Sequence, residues 1–132
     1  MKEYYNLKNE YKNSIILIKM GLFYNTYNED AIIIHILTKY KLYNNNGIMC
    51  TSFTDKSIDL VLSRLRSMNV GYIVKTSKEL TKFIGRVVSY KELLDKANKE
   101  NERAMLLINI SEFINRLEDV KLKELLKYLE RI

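Results

Sequence analysis

The apolar positions of residues 1–90 change several times between helical and extended spacing. Helical stretches place apolar residues three or four positions apart, and extended stretches are either aliphatic runs or strict alternations. This succession predicts an α/β (α+β) fold, with a small mixed β-sheet flanked by helices. The predicted helices are 2–12, 28–40 and about 55–68, and the predicted strands are 14–19, 23–27, 48–52, 70–76 and 83–90.

A glycine separates the first two predicted strands. The Met20-Gly21-Leu22 joint predicts a hairpin or a bulge, because glycine permits the backbone conformations that such turns require. In the strand that follows, alternation places Phe23 and Asn25 on one side and Tyr24 on the other, where Tyr24 is expected to pack into the sheet. Two adjacent aromatic residues should therefore face opposite surroundings.

Polar residues mark several element boundaries. Asn28 is a predicted N-cap with Glu29 and Asp30 in the first helical turn. Thr54 or Asp55 is the predicted cap of the third helix. Asn44, Asn45, Asn46 and Gly47 form the clearest predicted loop.

Residues 91–132 are predicted to be a helical extension. A capping-box pattern, Ser89 to Glu92, precedes it, and Asp119-Val120 is the predicted turn between two helices. An apolar stripe continues through the segment to Leu117 and Ile132. Two interpretations stay open: a cap packed on the sheet domain, or a surface for dimerisation or for docking a protein partner.

The charge is distributed unevenly. The chain has 132 residues and a formal net charge of +6, which fits one domain with an appendage. Residues 1–90 contain 13 Lys/Arg and 7 Asp/Glu, whereas residues 91–132 contain 9 of each. The excess in the first part favours an anionic partner such as nucleic acid, and the alternative is a merely solubilising surface.

Targeting signals and disulfides are not expected. The longest apolar run, Ala31 to Leu37, is too short to cross a bilayer, and the N-terminus lacks the apolar core of a secretion signal. Cys50 is the single cysteine, so no internal disulfide can form. We therefore expect a cytoplasmic protein without membrane contact.

No pattern of catalytic or cofactor-binding residues stands out. The four glycines form neither GxxxxGK[ST] nor GxGxxG, so no ATP binding is expected. His35 lies in an apolar helix and is interpreted as a core residue, and Cys50 has no basic neighbour in sequence that would activate it. Glu29-Asp30 suits a helix start better than a catalytic pair. The sequence predicts no enzyme, no cofactor and no metal.

The stretch from Lys8 to Asn28, KNEYKNSIILIKMGLFYNTYN, resembles the start of the mismatch-recognition domain, domain I, of MutS-type DNA mismatch repair proteins. In that family an aliphatic strand ends in Arg-Met-Gly and is followed by Asp-Phe-Tyr-Glu; here Lys19-Met20-Gly21 precedes Leu22-Phe23-Tyr24-Asn25. Weaker similarity continues to about residue 90. It includes Ile48-Met49-Cys50, where the family has Pro-Met-Ala, and a closing strand at Gly85 to Ser89.

The resemblance implies a wedge mechanism for Phe23. In the family this phenylalanine enters the minor groove of DNA and stacks on an unpaired or mispaired base. Stacking contributes roughly 1–3 kcal/mol per base, and separating a base step is easiest where pairing is already weak. The family's glutamate hydrogen-bonds the displaced base, and Asn25 replaces it here. An amide both donates and accepts hydrogen bonds, so Asn25 can still contact a base edge. We therefore expect binding of distorted DNA or of RNA to be kept even where strict mismatch discrimination is lost.

The expectation from sequence is therefore a stand-alone nucleic-acid-binding module at residues 1–90, similar to MutS domain I and without ATPase activity of its own. The alternative is an accessory module that keeps the fold for protein interaction. A lone recognition domain should bind weakly, with a dissociation constant at best near roughly 10⁻⁴–10⁻⁶ M. Useful binding would then need dimerisation or docking of a partner through the helical extension at residues 91–132, the helical tail. The predicted DNA-binding residues are Phe23, Asn25, Lys19, Lys41, Asn44, Asn45, Asn46, Met49, Arg64 and Arg66.

Overall fold

A computed structural model describes residues 1–116 and 119–130 of the chain. The chain divides into two compact units, Met1–Lys99 and Glu100–Ile132. In chain order the elements are α1 (Lys2–Glu10), β1 (Ser14–Met20), β2 (Phe23–Tyr27), α2 (Asn28–Thr38), β3 (Leu42–Asn45), β4 (Ile48–Thr54), a 3-10 turn (Asp55–Ser57), α3 (Ile58–Ser67), β5 (Gly71–Lys75), β6 (Leu80–Phe83), α4 (Val87–Arg116) and α5 (Asp119–Glu130).

Six strands form one mixed sheet in the order β3-β4-β2-β1-β5-β6. Only β1 and β5 are parallel, with Ile16 opposite Ile73; the other four pairs are antiparallel. The predicted α+β class is therefore confirmed, as is the small mixed sheet flanked by helices.

The aliphatic run of β1 packs on both sides of the sheet. Ile15 and Leu17 face a large core formed with α2, α3 and the first turns of α4, whereas Ile16 and Ile18 face a smaller core under α1. All four side chains are buried, as expected for a central strand covered on both faces. The smaller core is centred on β1 and β5. On the same side of the sheet as α1, strands β2, β4 and β3 therefore carry mainly exposed and half-buried side chains, and Cys50 is a buried exception.

Two tight turns set the register of β2, β3 and β4. Gly21 has φ +64° at the first central position of a two-residue hairpin in which Met20 pairs with Phe23, as in a type II′ turn. Asn46 (φ +52°) and Gly47 (φ +86°) form the next hairpin turn, as in type I′.

The predicted loop at Asn44–Gly47 is therefore wrong in part. Asn44 and Asn45 belong to strand β3, and only Asn46 and Gly47 form the turn. Asparagine has a low intrinsic β propensity, but pairing with β4 across an Asn-Gly turn overrides that preference.

The predicted strand at residues 83–90 is also wrong. Strand β6 ends at Phe83, and α4 begins at Val87, so Ser89 lies inside the helix and is not its cap. Gly85 packs against the backbone of Gly71, and the Arg86 N–H donates to the carbonyl of Asn69 at 2.9 Å. These contacts turn the chain away from the sheet although its β-branched residues suggest a strand.

The predicted helix caps are not formed by side chains. Tyr27, with extended backbone, occupies the N-cap position of α2, and Asn28 instead has φ +54° and donates from Nδ2 to the Tyr5 hydroxyl at 3.2 Å. A 3-10 turn precedes α3, and neither Thr54 nor Asp55 forms a cap hydrogen bond.

The C-terminal segment is helical throughout its described residues, as the sequence predicts. Helix α5 begins at Asp119, so the predicted Asp119-Val120 turn is wrong and these residues start the helix. The predicted stripe residues Leu117 and Ile132 lie outside the described residues. Across residues 1–116 and 119–130, no helix has the length and apolarity needed to cross a membrane.

Candidate nucleic-acid interface

The uncovered half of the sheet on the α1 side carries a shallow groove of about 450 Å³. We call it the β2–β4 groove. Strand alternation brings its residues together, because directly paired residues share a face: Asn25 is opposite Ser52, and Tyr43 is opposite Cys50. The groove is lined by Met20, Phe23, Asn25, Tyr27, Tyr43, Asn45, Cys50 and Ser52.

The adjacent aromatic residues of β2 face opposite sides of the sheet. Phe23 begins the strand directly after the Gly21-Leu22 turn, and 49% of its surface is exposed. Tyr24 is buried in the main core, where its ring stacks on Phe53 at a centroid distance of 5.8 Å. The prediction that Tyr24 packs into the sheet is confirmed, and the Phe23 ring lines the groove.

Asn25 lies deeper in the groove and is held by its neighbours. The Ser52 hydroxyl donates to Asn25 Oδ1 at 2.6 Å, and the Tyr43 hydroxyl lies 2.8 Å from Ser52 Oγ. Sequence reasoning missed both Tyr43 and Ser52. The Asn46-Gly47 turn was the available signal, because reading it as a hairpin would have paired β3 with β4 and brought Tyr43 to this face.

The other predicted residues of β3 and β4 separate between the two faces. Asn45 lines the groove, whereas Asn44 and Met49 pair with each other on the opposite face. Asn44 Oδ1 accepts a hydrogen bond from the Gly47 N–H at 2.7 Å, so this side chain supports the turn. Asn46 is exposed in that turn, and Lys41 is exposed just before β3.

Three predicted basic residues lie away from the groove. Lys19 pairs with Tyr24 and therefore faces the opposite side, where its Nζ is 5.6 Å from the Tyr24 ring centroid. Arg64 donates to the Leu37 carbonyl at 2.6 Å, and Arg66 donates to the Tyr72 hydroxyl at 2.7 Å, both from α3. The structure thus brings Phe23, Asn25 and Asn45 together but not these cations.

Asp30, in the first turn of α2, is completely buried and ties several elements together. Its carboxylate accepts hydrogen bonds from the hydroxyls of Tyr4 (2.6 Å) and Tyr90 (2.9 Å), from Lys8 Nζ (2.8 Å) and from the Ile16 N–H (3.1 Å). Burial, reinforced by the Asp30 charge, raises the pKa of both tyrosines well above the usual range. Glu29, by contrast, is exposed, so the two carboxylates do not form a catalytic pair.

His35 and Cys50 have structural surroundings. His35 Nδ1 lies 2.6 Å from the Tyr40 carbonyl at the end of α2. Cys50 is a buried free cysteine, and burial raises the pKa of its thiol, which disfavours the nucleophilic thiolate. Among the described residues, no group of three or more His, Cys, Asp or Glu side chains is placed to hold a metal ion.

An exposed aromatic ring and a positioned amide thus share one open groove, an arrangement that suits ligand binding. Comparison with known proteins identifies the family. The family model for MutS domain I matches residues 1–97, and the chain therefore belongs to that family. MutS domain I is a DNA-binding domain involved in mismatch recognition in MutS.

A curated relative supports the assignment. The DNA mismatch repair protein MutS of Petrotoga mobilis (strain DSM 10674 / SJ95) is 31% identical over 80 residues, which covers 61% of this chain. The matched region is 10% of the length of that relative.

Proposed function

We propose that residues 1–90 form a nucleic-acid-binding module that holds mismatched or otherwise distorted DNA in the β2–β4 groove, with Phe23 as an aromatic wedge. The observation that best supports this proposal is the exposed Phe23 ring at the end of a hairpin, in a chain whose first 97 residues match MutS domain I. The 49% exposure leaves the ring available for stacking on a base, whereas its neighbour Tyr24 is occupied in the core.

The rigidity of the hairpin supports the wedge role. Phe23 pairs with Met20 on one side and with Thr54 on the other, so its backbone is held between two strands. The Asp55 N–H also donates to the Leu22 carbonyl at 3.0 Å, which ties the turn to the end of β4. A ring inserted between bases must be held against the cost of unstacking, which is a few kcal/mol per step.

The other predicted DNA-binding residues lie around Phe23 or on other faces of the domain. Asn25 and Asn45 would meet base edges inside the groove, and the exposed Lys41 and Asn46 would meet the DNA backbone beside it. Lys19, Asn44, Met49, Arg64 and Arg66 stay predictions that require DNA to reach beyond this face. The 132 residues contain no Walker motif, so we propose that the module binds DNA without ATPase activity of its own. We also propose that it acts in the cytoplasm.

Fluorescence anisotropy with mismatched, single-base-bulged and fully paired duplexes tests the proposal. We expect the bulged and mismatched duplexes to bind more tightly than the paired one, and Phe23→Ala to remove most of that difference. Leu22→Ala is the matched control, because Leu22 is 68% exposed in the same turn but does not line the groove. A 2-aminopurine beside the bulge should report altered stacking with wild type and with Leu22→Ala only.

Two results would contradict the wedge. Either equal affinity of wild type for all three duplexes, or unchanged affinities in Phe23→Ala, would remove it. RNA bulges run in parallel test the alternative nucleic acid, since the stacking contribution of a ring does not depend on the sugar.

We also propose that the helical tail joins two copies of the chain. Among the described side chains of α4 and α5 beyond residue 100, nine apolar ones are more than 45% exposed. Residues 91–132 carry equal numbers of acidic and basic residues, so two copies would meet without net repulsion. A dimer would place two weak DNA-binding sites on one particle and raise their effective concentration. The nine are Met105, Leu106, Leu107, Ile108, Ile110, Phe113, Leu126, Tyr128 and Leu129.

A further inference from the structure

We propose that Tyr43 and Ser52 fix the side-chain amide of Asn25 as a hydrogen-bond donor, so that the β2–β4 groove selects an unpaired base with an acceptor on its exposed edge. This inference rests on the proposed function, since it concerns what the same groove recognises. It adds two positioning residues, one on β3 and one on β4.

The three side chains form a continuous relay across three strands. Tyr43 on β3, Ser52 on β4 and Asn25 on β2 lie on one face and are joined by contacts of 2.8 Å and 2.6 Å. Asn25 and Ser52 are directly paired in the sheet register, so the backbone itself holds the shorter contact.

The direction of donation along the relay is set by the contact between Ser52 and Asn25. The Ser52 hydroxyl has a single proton, and it donates that proton to Asn25 Oδ1. Ser52 Oγ can then act only as an acceptor toward the Tyr43 hydroxyl, which therefore donates. The relay thus runs from Tyr43 through Ser52 to the amide oxygen of Asn25.

The consequence is an amide with a defined polarity. Its oxygen is engaged by Ser52, and its Nδ2 has no partner among the described residues, although Asn25 is only half-buried in a groove open to a ligand. Two N–H donors therefore remain for a bound base. If the amide rotated by 180°, Nδ2 would face the proton of Ser52 and the relay would have to reverse.

This polarity determines which ligand fits. A carboxylate at this position would accept hydrogen bonds only, whereas the fixed amide offers donors and leaves its acceptor in use. The complementary base edge carries an acceptor, such as O4 of thymine or N7 of a purine. Phe23 lines the same groove and would supply the stacking contact, which does not distinguish bases.

The binding test compares a duplex containing one unpaired thymine with a duplex containing its 2,4-difluorotoluene isostere, which keeps the shape but lacks strong acceptors. For wild type we expect about fivefold tighter binding of thymine, the effect of one neutral hydrogen bond. In Ser52→Ala and Tyr43→Phe the ratio should fall toward one, because the amide is no longer oriented. Asn25→Leu, which removes the amide donors without adding an acceptor for thymine N3–H, should abolish the preference.

A matched control and a second readout separate orientation from a general loss of structure. Tyr5→Phe removes an exposed hydroxyl outside the groove, one that accepts from Asn28, and should leave the thymine ratio unchanged. In the protein without DNA, the ¹³Cγ resonance of Asn25 should shift in Ser52→Ala and in Tyr43→Phe but not in Tyr5→Phe.

The outcomes distinguish this inference from the proposed function. If wild type binds bulged duplexes in a Phe23-dependent manner but binds thymine and isostere equally, the selection is wrong and the wedge stands. If the Asn25 resonance does not respond to Ser52→Ala, the relay is wrong whatever the DNA affinity. If wild type binds none of the duplexes, the proposed function fails, and this inference fails with it.

Discussion

The hydroxyl of Tyr90 donates a hydrogen bond to Asp30 Oδ1 at 2.9 Å across 60 positions of sequence. Tyr4 and Lys8 reach the same carboxylate from α1, and the Ile16 N–H reaches it from β1. One side chain in α2 thus anchors α1, β1 and the start of α4. The sheet face that bears the groove depends on this anchor, because α1 covers the other half of that face.

Asp30→Asn should lower the free energy of unfolding by about 3 kcal/mol, since breaking a buried ion pair leaves an uncompensated charge. Four donors converge on the carboxylate, and an amide offers them one oxygen while placing its own N–H groups against the rest. Urea denaturation followed by circular dichroism measures the effect. Glu29→Gln, an exposed neighbouring carboxylate, is the control and should change stability by less than about 0.5 kcal/mol. Equal effects of the two substitutions would contradict the anchor.

Alkaline pH should destabilise the protein through Tyr4 and Tyr90. Their pKa values are raised in the folded protein, so the unfolded chain releases both protons near pH 10 while the folded chain retains them. The stabilisation is complete below pH 10 and decreases above it by about 1.4 kcal/mol per pH unit for each tyrosine. Urea midpoints between pH 9 and 11 test this. In Tyr90→Phe the slope should be smaller by one tyrosine's contribution, and an unchanged slope would contradict the assignment.

Gly85→Ala should destabilise the fold strongly. A Cβ at this position would lie 2.3 Å from the backbone nitrogen of Gly71 and 2.4 Å from the carbonyl oxygen of Asn69, so backbone would have to move. We expect a loss of about 2 kcal/mol or more, measured by thermal or urea unfolding. Ile84→Ala, at an adjacent residue that is 69% exposed, should have a small effect and serves as the control.

Salt concentration should separate DNA binding from a protein-interaction role. Each phosphate contact by a basic residue contributes about −0.9 to the slope of log K against log salt concentration for duplex DNA. If Lys41 makes such a contact, Lys41→Ala should make the slope less steep by about one such contribution. An affinity that hardly responds to salt would favour the accessory, protein-binding alternative, because apolar contacts are little affected by screening.

The proposed dimer predicts a concentration-dependent mass in analytical ultracentrifugation. Leu107→Lys and Phe113→Lys place a charge on exposed apolar positions of the tail and should shift the protein toward the monomer. In a Tyr128→Phe background, tyrosine near-ultraviolet circular dichroism should remain unchanged, since the other nine tyrosines and the main core lie within residues 1–99. A monomeric wild type at all concentrations would contradict self-association and leave another protein as the partner of the tail.

Sequence patterns sufficed for the elements in which periodicity and burial agree. The aliphatic run of β1 and the alternation of Phe23, Tyr24 and Asn25 give the correct strands and faces, because each strand borders a core. Strand β3 was missed because its asparagines suggest a loop until the pairing with β4 is known. The site residues differ in the same way. A local motif identifies Phe23 and Asn25, whereas the positions of Tyr43 and Ser52 depend on pairing between distant strands.

The buried role of Asp30 also could not be deduced from local sequence. An acidic residue in the first turn of a helix is ordinarily explained by the helix dipole. Its actual partners come from Tyr4, Lys8 and Tyr90, which are 22 to 60 positions away. Only tertiary packing reveals such a convergence.

Phe23 and Tyr24 are adjacent in sequence but are constrained differently, Phe23 by the proposed ligand binding and Tyr24 by packing of the core. A substitution at Phe23 can alter ligand preference while the interior is untouched, and a substitution at Tyr24 disturbs the interior first. A deletion of one residue in the preceding turn would interchange these roles, because it would rotate every following side chain of the strand to the other face. Point changes can therefore diversify this surface over evolutionary time, whereas changes in the length of the hairpin cannot.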